Sequence, residues 1–130
     1  MATRTQRSSV AAGASWSPRL ATEKIRTMAK QRKLSLVYKI HAVQREGERE
    51  LYVPDVLYVL RHGFVHNVGV PATRPPFYKY VIEGITPNSG GRSIGLVVIP
   101  DERNCIIKVV TIMWIDETST RSGSILEGEE

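Results

Sequence analysis

The sequence predicts an α+β fold, in which N-terminal helices pack on one face of a roughly four-stranded, mainly antiparallel sheet. Two observations lead to this prediction. Up to about residue 62, apolar residues recur at three- and four-residue spacing, which is typical of amphipathic helices. Beyond that point, short β-branched segments alternate with short turns, which is typical of strands in an antiparallel meander. We expect one domain over 17–115, a disordered basic tail over 1–16 and an acidic disordered tail over 116–130.

The first helix is expected from about 18 to 32. Ser17 has the side chain of an N-cap, and Pro18 suits the first helical position because its missing N–H is not needed there. The apolar positions that follow have helical spacing and are Ala21, Ile25 and Met28. A brief strand is expected after this helix, in the segment LSLVYKI.

Two shorter helices should follow. The stretch HAVQREGEREL predicts a helix from about 41 to 49, although Gly47 costs it about 1 kcal/mol relative to alanine. A third helix is expected over 54–62, because Pro54 suits its first turn and Asp55 suits its positive end. Gly63 then has the freedom to form a left-handed C-cap.

The second half of the domain reads as strands. Short turns such as TPNSGGR and DERN separate them, and VPATRPP is a proline-rich loop that no central strand could contain. The four expected strands are FVHNVGV, FYKYVIEGI, SIGLVVIP and CIIKVVTIMWI. The last includes Cys105, the single cysteine, which we expect to be a buried thiol. With one cysteine, an intramolecular disulfide and a thiolate zinc cluster are excluded.

Charge is distributed unevenly along the chain, which has a net charge of +5. The first 33 residues carry eight Lys or Arg and one Glu, whereas residues 116–130 carry one Arg and five acidic residues. A basic N-terminal third suits a polyanion such as RNA or DNA, or an acidic protein partner; the other interpretation is a solubilising tail. The longest apolar runs are far shorter than the ~20 residues of a membrane span, so we expect a cytoplasmic protein without membrane partners.

Several residues also match a family signature: His41-Ala42, Arg45, Glu48-Arg49, Leu51, Asp55-Val56, Gly63, Tyr80 and Gly91-Arg92. Over residues 20–115 the chain resembles an uncharacterised family of small prokaryotic domains with the pattern His-Ala-x-x-Arg-Met-x-Glu-Arg-x-Ile. That family is similar to the BrnT and RelE toxins, basic RNA-cleaving members of toxin–antitoxin pairs. The resemblance implies a toxin-like fold and cleavage of free or ribosome-associated mRNA without metal or cofactor. It also implies a cognate antitoxin as partner. Glu46 stands where the pattern has Met.

Candidate catalytic residues follow from the chemistry of RNA cleavage, which needs an acid, a base and cations around the phosphate. On a helix, His41, Arg45 and Arg49 line one face at four-residue spacing. Histidine can transfer protons, and arginine can bind phosphate bidentately. We expect Tyr80 and Arg92 to assist from the strands. The alternative is structural: His41 caps the helix and the arginines pair with neighbouring glutamates.

Candidate nucleic-acid-binding residues are the cations of the first helix and one strand lysine: Arg26, Lys30, Arg32, Lys33 and Lys79. His62 and His66 could suggest a metal pair, but Gly63 ends the helix between them and no third ligand is evident, so no metal site is expected.

Two functional hypotheses follow. The first is a toxin-like RNA-binding protein that acts as a metal-independent endoribonuclease. The second is a non-catalytic module that keeps the toxin-like scaffold and binds nucleic acid or an acidic protein, such as a phage or defence component, through its basic N-terminal helix. Pairing of strand edges in a homodimer is left open.

Overall fold

A computed structural model describes residues 15–39 and 53–117. In chain order the elements are α1 (Pro18–Ala29), β1 (Ser35–Tyr38), α2 (Val53–His62), β2 (Phe64–Val65), β3 (Val70–Pro71), β4 (Tyr78–Ile85), β5 (Ser93–Asp101), β6 (Ile106–Trp114) and a 3-10 turn (Ile115–Glu117). The α+β class is confirmed: both helices pack against a mixed, mostly antiparallel sheet. The helix expected over 41–49 lies outside the described residues.

The sheet has six strands instead of the four expected. The segment FVHNVGV contributes two short strands, and Gly69 between them lies against the ring of Tyr80, where a Cβ would come within 2.6 Å of Cε2. The brief strand β1 also joins the sheet. Because β2 and β3 have two residues each, they pair with β4 only locally.

The strand order is β1-β6-β5-β4-β2, with β3 also paired to β4. The expected meander is confirmed at β4, β5 and β6, which pair antiparallel in sequence order. β1 instead runs parallel to β6, with Ser35 opposite Ile106. The two edges of the main sheet are therefore the short strands β1 and β2.

The N-cap predicted for α1 is confirmed, since the Ser17 hydroxyl accepts a hydrogen bond from the Leu20 N–H at 3.2 Å. The helix ends at Ala29, three residues earlier than expected. The next four residues, Lys-Gln-Arg-Lys, have no apolar side chain to pack into the core, so burial would not stabilise a further helical turn. Ala21, Ile25 and Met28 are buried as the spacing predicted.

The start of α2 is held by Asp55, which is only 5% exposed. The Thr86 hydroxyl donates to one carboxylate oxygen at 2.9 Å and the Asn88 amide to the other at 3.1 Å. These bonds fix the helix to the turn between β4 and β5. The prediction that Asp55 lies favourably at the positive end of this helix agrees with its position in the first turn.

Gly63 does not form the left-handed cap that was predicted, because the positive-φ glycines of the described chain are Gly90 and Gly91. A Cβ at Gly63 would come within 2.6 Å of the carbonyl oxygens of Val59 and Glu83. Glycine is therefore needed here for the close approach of α2 to β4.

The hydrophobic core lies mainly between the helices and the sheet. Its fully buried side chains from the sheet include Ile82, Ile94, Leu96, Ile107 and Ile112. A smaller apolar cluster on the opposite, outer face contains Val97, Ile99, Val110 and Met113. Cys105 is buried, as expected, but it lies in the turn before β6. Neither described helix is long and apolar enough to cross a membrane.

Candidate nucleic-acid interface

The carboxyl ends of the two helices meet, and each is capped by an arginine of the other. Arg26, in the last turn of α1, donates from Nε to the Gly63 carbonyl at 2.9 Å and from a terminal nitrogen to the His62 carbonyl at 2.8 Å. Arg61, in the last turn of α2, donates from Nε to the Ala29 carbonyl at 3.0 Å. These bonds satisfy carbonyls that a helix end leaves without partners, and they place positive charge at the negative ends of both helix dipoles.

This junction begins a cationic strip, which we call the basic surface: Arg26, Lys30, Arg32, Lys33 and Arg61. All except half-buried Arg26 are exposed. Lys30 directly follows Ala29, the residue bonded by Arg61, and Arg32 and Lys33 continue into the turn before β1. The structure thus brings together four of the five predicted nucleic-acid-binding residues.

The charge of the basic surface is not neutralised within the described residues. The ion pairs that join Arg19 to Glu23, Lys24 to Glu102 and Arg92 to Asp116 include no residue of the basic surface. In the same part of the chain, the side chains of Lys30, Arg32 and Lys33 have no polar partner. Electrostatic attraction of a polyanion is the chemistry that such a strip supports.

Arg61 was missing from the sequence-based set. Its position in the last helical turn was visible, but its proximity to α1 depends on how the two helices cross. A contact between residues 32 positions apart leaves no local pattern.

Beside the basic surface lies a cleft of about 270 Å³, which we call the aromatic cleft. The residues that line it include Tyr58, His62, Phe64, His66 and Glu83. The rings of Tyr58 and His62 lie 4.5 Å apart, and Phe64 is 53% exposed. The cleft joins the basic surface through Arg26, whose Cζ lies 4.4 Å from the centre of the Phe64 ring.

The two histidines therefore share a cleft, although the sequence analysis considered them only as a metal pair. Among residues 15–39 and 53–117, no group of three or more His, Cys, Asp or Glu side chains could hold a metal ion. The cleft instead offers imidazole rings, aromatic faces and one carboxylate.

Tyr80, a predicted catalytic residue, lies in the helix-facing core at 3% exposure. Its hydroxyl accepts a hydrogen bond from the Trp16 N–H at 2.8 Å, and the two rings stack with centres 5.6 Å apart. Burial raises the pKa of the Tyr80 hydroxyl above its ordinary value of 10.0, although the bond from Trp16 partly offsets this. The hydroxyl is therefore protonated at neutral pH and cannot act as a base there.

Arg92, the other strand residue expected at a catalytic site, lies in the turn between β4 and β5. It binds both carboxylate oxygens of Asp116, at 2.9 and 2.8 Å, and its guanidinium lies 4.1 Å from the centre of the Trp114 ring. These hydrogen bonds lower the pKa of Asp116 below its ordinary value of 3.8.

The structure does not bring Tyr80 and Arg92 together. Arg92 precedes Ser93, which pairs with Ile85, and the five residue steps from Tyr80 to Ile85 span about 17 Å. The two side chains cannot bind one phosphate. The other catalytic candidates, His41, Arg45 and Arg49, lie outside the described residues.

Lys79, the fifth predicted nucleic-acid-binding residue, is only 3% exposed and lies on the outer face of the sheet. It is therefore separate from the basic surface. The same face carries a second cleft of about 260 Å³, lined by Arg74, Phe77, Asp101 and Lys108. This lining holds two cations and one carboxylate, so its excess of positive charge is smaller than that of the basic surface.

Comparison with protein-family models, with curated proteins and with solved structures gave no match. The functional argument therefore rests on the chemistry of this chain's own residues, because a fold class alone does not determine an activity.

Proposed function

We propose that the protein binds RNA through the basic surface, as a toxin-like binding module for which catalysis is not required. One observation carries the proposal: cations from two helices converge on one strip, and three of them have no polar partner among the described residues. Phosphate groups would neutralise these charges and release counterions, which is the main source of affinity in protein–nucleic-acid complexes.

An RNA ligand fits this surface better than an acidic protein does. The basic surface borders exposed aromatic rings, and a nucleic acid offers bases to those rings as well as phosphates to the cations. An acidic peptide would satisfy only the cations. Arginine also supports the choice, since its planar group matches the geometry of phosphate oxygens.

The test is a fluorescence anisotropy titration of a labelled single-stranded RNA. The variant Arg32→Gln with Lys33→Gln removes two exposed charges without removing a described hydrogen bond. Each phosphate contact on a single strand contributes about 0.7 to the slope of log affinity against log salt, so losing two contacts weakens binding about 25-fold at about 0.1 M salt.

The matched control is Arg19→Gln with Arg74→Gln, which removes the same charge from the start of α1 and from the second cleft. We expect a much smaller loss for this control. If both double variants lose affinity equally, the RNA responds to net charge and not to the basic surface, and the proposal is wrong.

Truncation of the basic N-terminus is a poor test of the same idea. Removing residues 1–33 would delete α1, and Ala21 and Ile25 of that helix are fully buried in the core. A loss of binding would then report unfolding, whereas exposed substitutions leave the core intact.

Metal-independent RNA cleavage, which the sequence resemblance implies, is a second candidate. Cleavage by His41, Arg45 and Arg49 stays a prediction. Its test is a denaturing gel of RNA incubated with the protein and a chelator. Cleavage products that disappear in the double variant His41→Ala with Arg45→Ala would support it. If the RNA stays intact with the wild type, RNA binding is the only proposed activity that remains. A cognate antitoxin and a homodimer also stay predictions.

A further inference from the structure

We propose that the aromatic cleft is a nucleobase pocket, which makes the protein selective for single-stranded RNA and, within it, for bases that carry an amino group. This inference rests on the proposed function, because the basic surface would hold the phosphates beside the cleft.

Aromatic rings are exposed at the cleft. Phe64 is 53% exposed and Tyr58 38% exposed, and Ile85, which also lines the cleft, is 56% exposed. The Arg26 guanidinium lies over the Phe64 ring and the His66 ring stacks with it at 6.3 Å, so a base that enters the cleft would stack on the exposed part of this group or displace the mobile end of one neighbour. A base stacked on such a ring removes apolar surface from water and gains a flat contact, whichever base it is.

Glu83 adds a carboxylate to the lining of the cleft. It lies directly opposite Phe64 in the antiparallel pairing of β2 with β4, so both side chains are on the same face of the sheet, the outer face that also carries Lys79. A carboxylate beside the ring repels phosphate and accepts hydrogen bonds from amino groups, such as the N4 amino group of cytosine. Bases, and not the phosphate backbone, are therefore the part of RNA that fits the cleft.

The cleft is small. The cleft encloses about 270 Å³, just below the ~300–1,000 Å³ of pockets for drug-sized ligands, so it suits one ring system and little more. Bases within a duplex are stacked on both faces and cannot enter such a pocket. Bases of a single strand can be turned out of the stack and inserted.

The floor of the cleft is closely packed backbone. Gly63 and Gly84 both line the cleft, and a Cβ at Gly84 would come within 3.3 Å of the Gly63 Cα. Backbone packed on backbone fixes the spacing between the end of α2 and β4. The backbone that carries the rings is therefore in place before a ligand arrives, which limits the entropy lost on binding.

The experiment compares the affinity of the full chain for oligo(C), oligo(U) and an RNA duplex of equal length. We expect the wild type to prefer both single strands to the duplex and oligo(C) to oligo(U). Phe64→Ala should weaken binding to oligo(C) about 5- to 150-fold, which is the range that corresponds to the stacking of one base. Val37→Ala is the control, since Val37 is an exposed apolar residue on β1, at the other edge of the sheet.

Two further variants separate stacking from folding and from charge. Phe64→Leu keeps an apolar side chain and should still lose most of the stacking. Glu83→Gln should reduce the preference for oligo(C), because an amide can donate to uracil O4 as well as accept from cytosine.

The outcomes distinguish this inference from the proposed function. If the wild type binds none of the three RNAs, both are wrong. If it binds them with equal affinity, or if Phe64→Ala behaves like Val37→Ala, the nucleobase pocket is wrong while the basic surface stands.

Discussion

Substitution of Arg26 tests whether the reciprocal capping of the two helices stabilises the domain. Arg26 was predicted from the sequence to bind nucleic acid, yet it donates two hydrogen bonds to the end of α2 and lies on the Phe64 ring. Arg26→Ala removes all three contacts at once. If the capping is structural, this variant should lose stability as well as RNA affinity.

The magnitude follows from the surroundings of each contact. Gly63 is buried, so its carbonyl would lose a charge-assisted hydrogen bond worth about 1.5–3 kcal/mol without full replacement by water. His62 is exposed, so water can solvate its carbonyl and we assign that bond no net cost. The cation–π contact adds about 0.5–1 kcal/mol. The expected loss for Arg26→Ala is therefore about 2–4 kcal/mol.

Urea denaturation followed by tryptophan fluorescence measures this loss, provided that the m-value is unchanged. Arg26→Lys keeps the charge near the negative helix end, worth about 0.3–1 kcal/mol, but cannot reproduce the forked geometry, so it should fall between the wild type and Arg26→Ala. Lys30→Ala is the control and should change stability by less than about 0.5 kcal/mol. An Arg26→Ala protein as stable as the control would refute the structural role of the reciprocal caps.

Two further predictions concern buried and paired carboxylates. Asp55→Ala should cost about 1.5–3 kcal/mol in urea denaturation, because it leaves the buried Thr86 hydroxyl without its charged acceptor, whereas water can replace the acceptor of the exposed Asn88. Asp55→Asn should cost less because one acceptor oxygen remains; equal stability of the two variants would contradict this. Asp116 should titrate by NMR below its ordinary pKa of 3.8, and Arg92→Gln should return the midpoint toward that value. Because the folded pKa is lowered, the stabilising contribution is complete above the ordinary pKa and is lost as the pH falls through the folded one.

Local patterns predicted much of this fold. Ser17 and Pro18 mark the start of α1, and short turns between β-branched segments mark the meander of β4, β5 and β6, because each signal depends on neighbours in the sequence. Non-local contacts account for the errors. β1 pairs in parallel with a strand about 70 residues away, a partner that no local pattern specifies.

The candidate site was less predictable for the same reason. The sequence shows that Arg26 and Lys30 are basic, but it cannot separate a cation that caps a neighbouring helix from one that stays exposed. Gly63 was correctly placed at a helix end and wrongly explained, since the carbonyl it accommodates belongs to Glu83. The aromatic cleft needs α2, β2 and β4 together, so its residues carry no joint pattern along the chain.

The central claim is that the basic surface contacts phosphates of RNA, and the salt dependence of binding tests it most directly. Affinity for single-stranded RNA is measured over a series of salt concentrations for the wild type, for Arg32→Gln with Lys33→Gln, and for Arg19→Gln with Arg74→Gln. Loss of two phosphate contacts predicts a slope of log affinity against log salt that is shallower by about 1.4 in the first variant and nearly unchanged in the second. Equal slopes for all three proteins would contradict the claim.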